Sequence, residues 1–152
     1  MNPADASDSI FKEIAIHAPV ERVFDAITDP RQRVKWWGVP GRFQVTHMES
    51  DLRPGGAWLM RGVGAEDKPF TLRGEYRVVE RPRMLEFTWR TDWPEPETVV
   101  RFELEESKGV TTVRLTHSGF AADDVRQRYQ GWPRLLALLQ AFVEEDNSRG
   151  TK

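Results

Sequence analysis

The feature that most constrains this chain is a long amphipathic stretch in its last third. From Val125 the apolar residues recur at Tyr129, Trp132, Leu136, Leu139 and Val143, at intervals of 4, 3, 4, 3 and 4, and Leu135, Leu138 and Phe142 widen the stripe. This is helical periodicity, and a helix of roughly 35 Å at 1.5 Å rise per residue needs a large apolar surface to lie on. The residues before it read mostly as strands, ending with an extended segment, Val110 to His117, that turns through Ser118, Gly119 and Phe120. A curved sheet wrapped around a long terminal helix is therefore expected, with room for a cavity between the two. Pro133 removes a backbone donor from the helix, which predicts a kink or break near Gln130 and Gly131.

Punctuation by Pro, Gly and Asp sets out the rest. Ile10 to His17 reads as a first strand. Pro19 suits a helix start, and Val20, Val23, Phe24 and Ile27 supply an i, i+3, i+4, i+7 face. Asp29 closes that helix and caps a second, short one, with Pro30 at its first position and Gln32 three residues after the cap. Trp36 and Trp37 end it before Gly38 and Gly41. Six strands follow: Phe43 to Ser50, Ala57 to Gly62, Phe70 to Glu80, Met84 to Thr91, Thr98 to Glu106 and Val110 to His117. Short turns such as Pro54-Gly55-Gly56, Arg81-Pro82-Arg83 and Ser107-Lys108-Gly109 separate them, so neighbours run antiparallel. Alternation puts Leu72, Gly74, Tyr76, Val78, Leu85, Phe87, Trp89, Val100, Phe102, Leu104, Val113, Leu115 and His117 on one face. Arg73, Glu75, Arg77, Glu86, Arg90, Arg101, Glu103 and Arg114 fall on the other, wet face as a cross-strand charge ladder. The fold class is α+β with about seven strands: a domain over residues 10–147, with flexible tails expected at 1–9 and 148–152.

Composition removes several functions. A net charge of -2 over 152 residues supplies no basic field for nucleic acid. No apolar run reaches the length of a membrane span, and Met1 to Ser9 lacks the layout of a signal peptide, so a cytoplasmic location is expected. There is no Cys, which excludes disulfides, thiolate metal sites and a cysteine nucleophile. The three His residues form no HxxxH or HxH pair, and no Gly-rich phosphate loop occurs, so neither a metal nor another cofactor is expected.

The order strand, two helices, six strands, long helix comes with an ordered set of short motifs: Pro19-Val-Glu-Arg-Val-Phe24, Trp36-Trp37-Gly38, Asp51-Leu-Arg-Pro-Gly-Gly56, Arg73-Gly-Glu75, Arg81-Pro82 followed by Leu85-Glu-Phe-Thr-Trp89, Leu115-Thr-His-Ser-Gly-Phe120 and Gly131-Trp132. Together, over about residues 10 to 145, they resemble the SRPBCC or START-like superfamily with its helix-grip fold. Within it they are similar to the C-terminal domain of the activator of the ninety-kilodalton heat-shock protein ATPase. The resemblance implies a grip-shaped cavity between sheet and last helix. It also implies an apolar small-molecule ligand or, as the alternative, a chaperone partner and a stress-response role. The open edge of such a sheet allows a homodimer.

Three functional classes follow. Binding of an apolar or aromatic small molecule needs an apolar cavity, a cyclase- or hydrolase-like enzyme needs titratable groups converging in it, and an interaction module needs an exposed apolar patch. Six Trp residues favour the first, because large flat rings with one N–H suit a pocket that grips an apolar ligand. The expected lining is Trp36, Trp58, Leu72, Tyr76, Leu85, Phe87, Trp89, Phe102, Leu115, His117, Trp132, Leu136 and Leu139, with Trp93 on a covering loop. Only His117, with His47 or Tyr76 as further candidates, brings a titratable group to the concave side, so binding is favoured over catalysis. His117 would orient a polar end of the ligand or, in the plainer reading, bond to the turn at Ser118-Gly119.

Overall fold

Among the described residues eight strands make one antiparallel sheet in the order β1-β8-β7-β6-β5-β4-β3-β2, and the helices pack against it. The computed structural model describes residues 9–39, 42–91, 97–119 and 132–150. The strands are β1 (Ser9–Ile16), β2 (Gly38–Val39), β3 (Phe43–Ser50), β4 (Ala57–Val63), β5 (Pro69–Glu80), β6 (Met84–Thr91), β7 (Thr98–Ser107) and β8 (Val110–Ser118). The helices are α1 (Val20–Thr28), α2 (Pro30–Trp36) and α3 (Trp132–Gly150). Seven strands match the sequence reading within a residue or so; the two-residue β2 at the sheet edge is additional. Ser9 already belongs to β1, and α3 continues through 148–150.

The two short helices form for the reasons visible in their sequence. Asp29 caps α2: its Oδ1 accepts from the Arg31 N–H at 3.0 Å, and Pro30 occupies a position whose N–H would have no partner. Gln32 bonds to the Asp29 carboxylate at 3.3 Å rather than to its backbone N–H, so the box is only half formed. Pro19 stands as the N-cap of α1, not at its first helical position. The free N–H of Val20 is instead taken by the Glu106 carboxylate of β7 at 2.8 Å, an anion at a helix N-terminus. Val23, Phe24 and Ile27 are buried, as their spacing requires.

Helix α3 lies against β1 and touches α1 and α2. Its buried stripe is Trp132, Leu135, Leu136, Leu139 and Val143, with Leu138 and Phe142 partly covered. Gln140 donates to the Ala15 carbonyl at 2.8 Å and Glu144 accepts the His17 N–H at 2.9 Å, which fastens the helix to the outermost strand. The predicted helical turns from Val125 to Gly131, with the kink there, and the Trp93 loop lie outside the described residues. Pro133 is in the first described turn of α3.

The faces alternate as expected with two exceptions, both at bulges. Between Tyr76 and Val78 the register of β5 slips against β6, so Val79, not Val78, stands opposite Leu85 and packs on the core. Between Val45 and His47 the register of β3 slips against β4, and His47 emerges exposed, 2.8 Å from Glu49. On the wet face Arg101 meets Glu86 at 2.9 Å, while Arg114 meets Glu13 at 2.9 Å and Glu105 at 3.4 Å. These are exposed ladder pairs of small energetic weight.

Gly74 is required by the sheet itself. It pairs with Trp58, and a Cβ built on it would lie 1.9 Å from the Thr88 carbonyl oxygen and 2.7 Å from the Trp58 indole nitrogen. The indole N–H reaches across this gap to donate to the same carbonyl at 3.2 Å. Gly74→Ala should therefore displace backbone as well as indole and cost at least about 3 kcal/mol, read as a lower urea midpoint. An unchanged midpoint would show that the strands can separate freely there.

Candidate functional site

Sheet and helix meet in a wall of aromatic rings. Trp58 comes from β4, Tyr76 from β5, Phe87 and Trp89 from β6, Phe102 from β7, Trp37 from the end of α2 and Trp132 from the start of α3. Period-two alternation turns the strand residues inward, and helical spacing turns Trp132 toward them. Trp37 lies 5.4 Å from Trp132 and 5.9 Å from Trp89 between ring centroids; Trp58 lies 5.4 Å from Phe87 and 5.6 Å from Trp89. Phe102 stacks on Phe87 at 6.2 Å and meets the Trp132 edge at 6.2 Å. Several of these contacts are edge-to-face, the arrangement that ring quadrupoles favour.

One hydrogen-bonded chain crosses the wall. The Trp132 indole N–H donates to His117 Nδ1 at 3.0 Å, and His117 Nε2 pairs with the Thr98 hydroxyl at 2.7 Å. Because Nδ1 accepts, the imidazole is the neutral tautomer with its proton on Nε2, donated to Thr98. Burial pushes the His117 pKa down to about 3. The ring is thus a poor base near neutral pH, and its lone pair is held by an indole. His117 thereby joins the C-terminal helix to β7, a link that neither sequence reading included.

The expected lining residues all come together in one buried cluster. Trp36 is tied into the helix pair, with its N–H on the Ala26 carbonyl at 2.8 Å and its ring 5.2 Å from Trp37. Leu72, Leu85, Leu115, Leu136 and Leu139 are buried beside the rings. Tyr76 turns its hydroxyl to Ser50 at 2.6 Å, and burial raises its pKa. His47 is not on this side at all. The sequence reading missed Trp37, which bridges Trp89 and Trp132, and Thr98.

It also missed Arg33, which is 2% exposed. The guanidinium lies 4.1 Å from the Trp37 ring centroid, Nη1 donates to the Ile27 carbonyl at 2.7 Å, and desolvation lowers its pKa to about 10, so it remains a cation. The signal was present in the spacing: Arg33 precedes Trp36 by three and Trp37 by four, which puts a charge on the aromatic face of α2.

The Asp51 to Gly56 motif is turn architecture. Arg53 Nε meets Asp51 at 2.8 Å, Gly55 has φ of 84°, and the loop exchanges backbone hydrogen bonds with Tyr76. On the outer face an open cleft of about 410 Å³ is lined by Glu49, Arg73, Glu75, Arg90 and Glu97, with Trp58 visible through the gap at Gly74. It presents charges of both signs to solvent. Among the described residues no group of three or more His, Asp or Glu side chains is placed to hold a metal ion, and no helix is long and apolar enough to cross a membrane.

A curled antiparallel sheet gripping a C-terminal helix through an aromatic interior defines an SRPBCC-type domain. The chain belongs to the family described as activator of Hsp90 ATPase homolog 1-like protein, whose model matches residues 17–144. Among solved structures it is similar to protein CV1439 from Chromobacterium violaceum, with 26% identity and a TM-score of 0.80 over 90% of this chain and 97% of that one. Protein NE0264 from Nitrosomonas europaea is 20% identical, with a TM-score of 0.81 over 95% and 99% of the two chains. CalU16 from Micromonospora echinospora is 25% identical, with a TM-score of 0.69 over 93% and 79%. No curated protein matches the chain. The fold commonly binds hydrophobic ligands, and none of these likenesses specifies one.

Two outcomes test the site. Trp132→Ala should cost about 3 to 5 kcal/mol by denaturant titration, because it removes a buried indole and leaves His117 Nδ1 without its donor. The unfolded imidazole titrates near 6.5 and the folded one near 3, so acid protonates the unfolded chain first. The His117 contribution is complete above about pH 6.5 and is lost progressively down to about pH 3, on the order of a few kcal/mol. His117→Gln should flatten the pH dependence of stability in that window; an equal slope in both proteins would refute the assignment.

Proposed function

We propose that the protein binds a flat apolar or aromatic small molecule against the ring wall between sheet and C-terminal helix. The observation that carries this reading is the wall itself. Trp37, Trp58, Phe87, Trp89, Phe102 and Trp132 converge from five elements on one interior, a concentration of polarisable surface that favours an aromatic guest. A cyclase- or hydrolase-like role has less support. His117 is neutral and doubly bonded, and Tyr76 is held protonated by burial, so neither is poised to move a proton near pH 7. The chaperone-linked reading needs an exposed apolar surface, and among the described residues Phe11, at 58%, is the one exposed large hydrophobic side chain.

Binding should perturb the indoles directly. Titration with neutral bicyclic aromatics, such as 2-naphthamide, should give a saturable change in tryptophan fluorescence and a higher melting temperature. If a panel of neutral and anionic apolar compounds changes neither quantity, the small-molecule reading is abandoned.

A further inference from the structure

Arg33 is a buried cation with no counter-ion among the described residues. It makes one hydrogen bond, from Nη1 to the Ile27 carbonyl, while Nε and Nη2 are buried with no hydrogen-bond partner. These two nitrogens form one edge of the planar guanidinium, and their N–H groups run parallel, the spacing that matches the two oxygens of a carboxylate. The edge left open is therefore the bidentate one. Buried donors without acceptors are costly, a buried charge without a partner more so, and stacking on Trp37 at 4.1 Å offsets only part of that cost.

Among the described residues no anion stands against the guanidinium. The charge interaction acting on Arg33 there is with Tyr76, whose hydroxyl is protonated at neutral pH and bonded to Ser50. The Trp37 indole beneath the guanidinium also touches Trp89 and Trp132, so the cation stands one ring away from the centre of the aromatic wall.

We infer that the ligand is an aromatic or apolar carboxylic acid, its carboxylate held by the Nε and Nη2 edge of Arg33 and its apolar body by the tryptophan wall. This rests on the apolar-binding reading above and adds the polar end that His117, with both ring nitrogens engaged, does not provide. Carboxylate is favoured over a tetrahedral oxyanion because the open edge is planar and two-pronged and its neighbours are flat rings.

The test compares 2-naphthoate with 2-naphthamide, which share a ring system and shape and differ in charge, by calorimetry and tryptophan fluorescence at pH 7. The wild-type protein should bind the acid roughly tenfold or more tighter than the amide, the range of a charge-assisted bidentate pair. Arg33→Met keeps apolar volume and removes the fork, and should bind both compounds at the level of the amide. Arg33→Lys keeps the charge but not the fork, and should retain only a few-fold preference; it serves where the Met variant does not fold. Amide binding without preference for the acid in the wild type overturns the carboxylate site and leaves the apolar-binding reading standing, and so does an undiminished preference in either variant. Binding of neither compound, nor of any other in the apolar panel, fails that reading itself and this inference with it.

Discussion

The hydrogen bond from the Trp132 indole to the neutral His117 imidazole is the interaction around which the interior is organised. It joins the last helix to the penultimate edge of the sheet order, and it does so inside apolar surroundings where an unmade bond would be expensive. Because Nδ1 must accept, the ring's proton sits on Nε2 and is given to Thr98, which fixes the strand pairing at Val100 and His117 from the other side. A single chain of two hydrogen bonds thus sets helix position, tautomer and the depressed basicity of the histidine together. Structure and electrostatics are one constraint here.

Most of the architecture was legible in the chain because two periods suffice to describe it. Apolar recurrence at two residues fixed the inward faces of β4 to β8, and recurrence at 3.6 fixed the stripe of α3 from Trp132 to Val143. Asp29 before Pro30 announced the cap of α2. The readings that missed were at bulges. A bulge adds one residue to one strand and leaves no compositional mark, so Val78 and His47 were read on the wrong side or left open, where the register slips after Tyr76 and after Val45.

The site was legible as a set but not as a network. Alternation could bring Tyr76, Phe87, Trp89, Phe102 and His117 to one face, since each belongs to a regular strand. It could not show that the His117 nitrogens would be consumed by Trp132 and Thr98, because partners across the core depend on ring orientation rather than on spacing. Trp37 escaped for a related reason. It stands at the C-cap of α2, with φ of -84° and ψ of 89°, so helical periodicity no longer says where its side chain goes. That Trp37 reaches Trp89 and Trp132 is a matter of this cap geometry.

Arg33 is the buried group that packing accounts for least. The aromatic interior is built to exclude charge: its histidine is neutral, its tyrosine protonated, its threonine hydroxyl satisfied. Only one formal charge lies among the described core side chains, and it is the one with donors left over. If Arg33 served packing alone, an apolar side chain of similar volume would do as well or better, since removing a buried charge in favour of well-packed apolar atoms is frequently stabilising. A methionine could lie on Trp37 with no desolvation cost. What methionine cannot do is present two parallel N–H groups inside an aromatic cluster, where a charge-assisted bond is strongest because water does not compete for it. On the carboxylate proposal the unpaired edge is a ground state preorganised for an acceptor, with its desolvation cost already met in the folded protein.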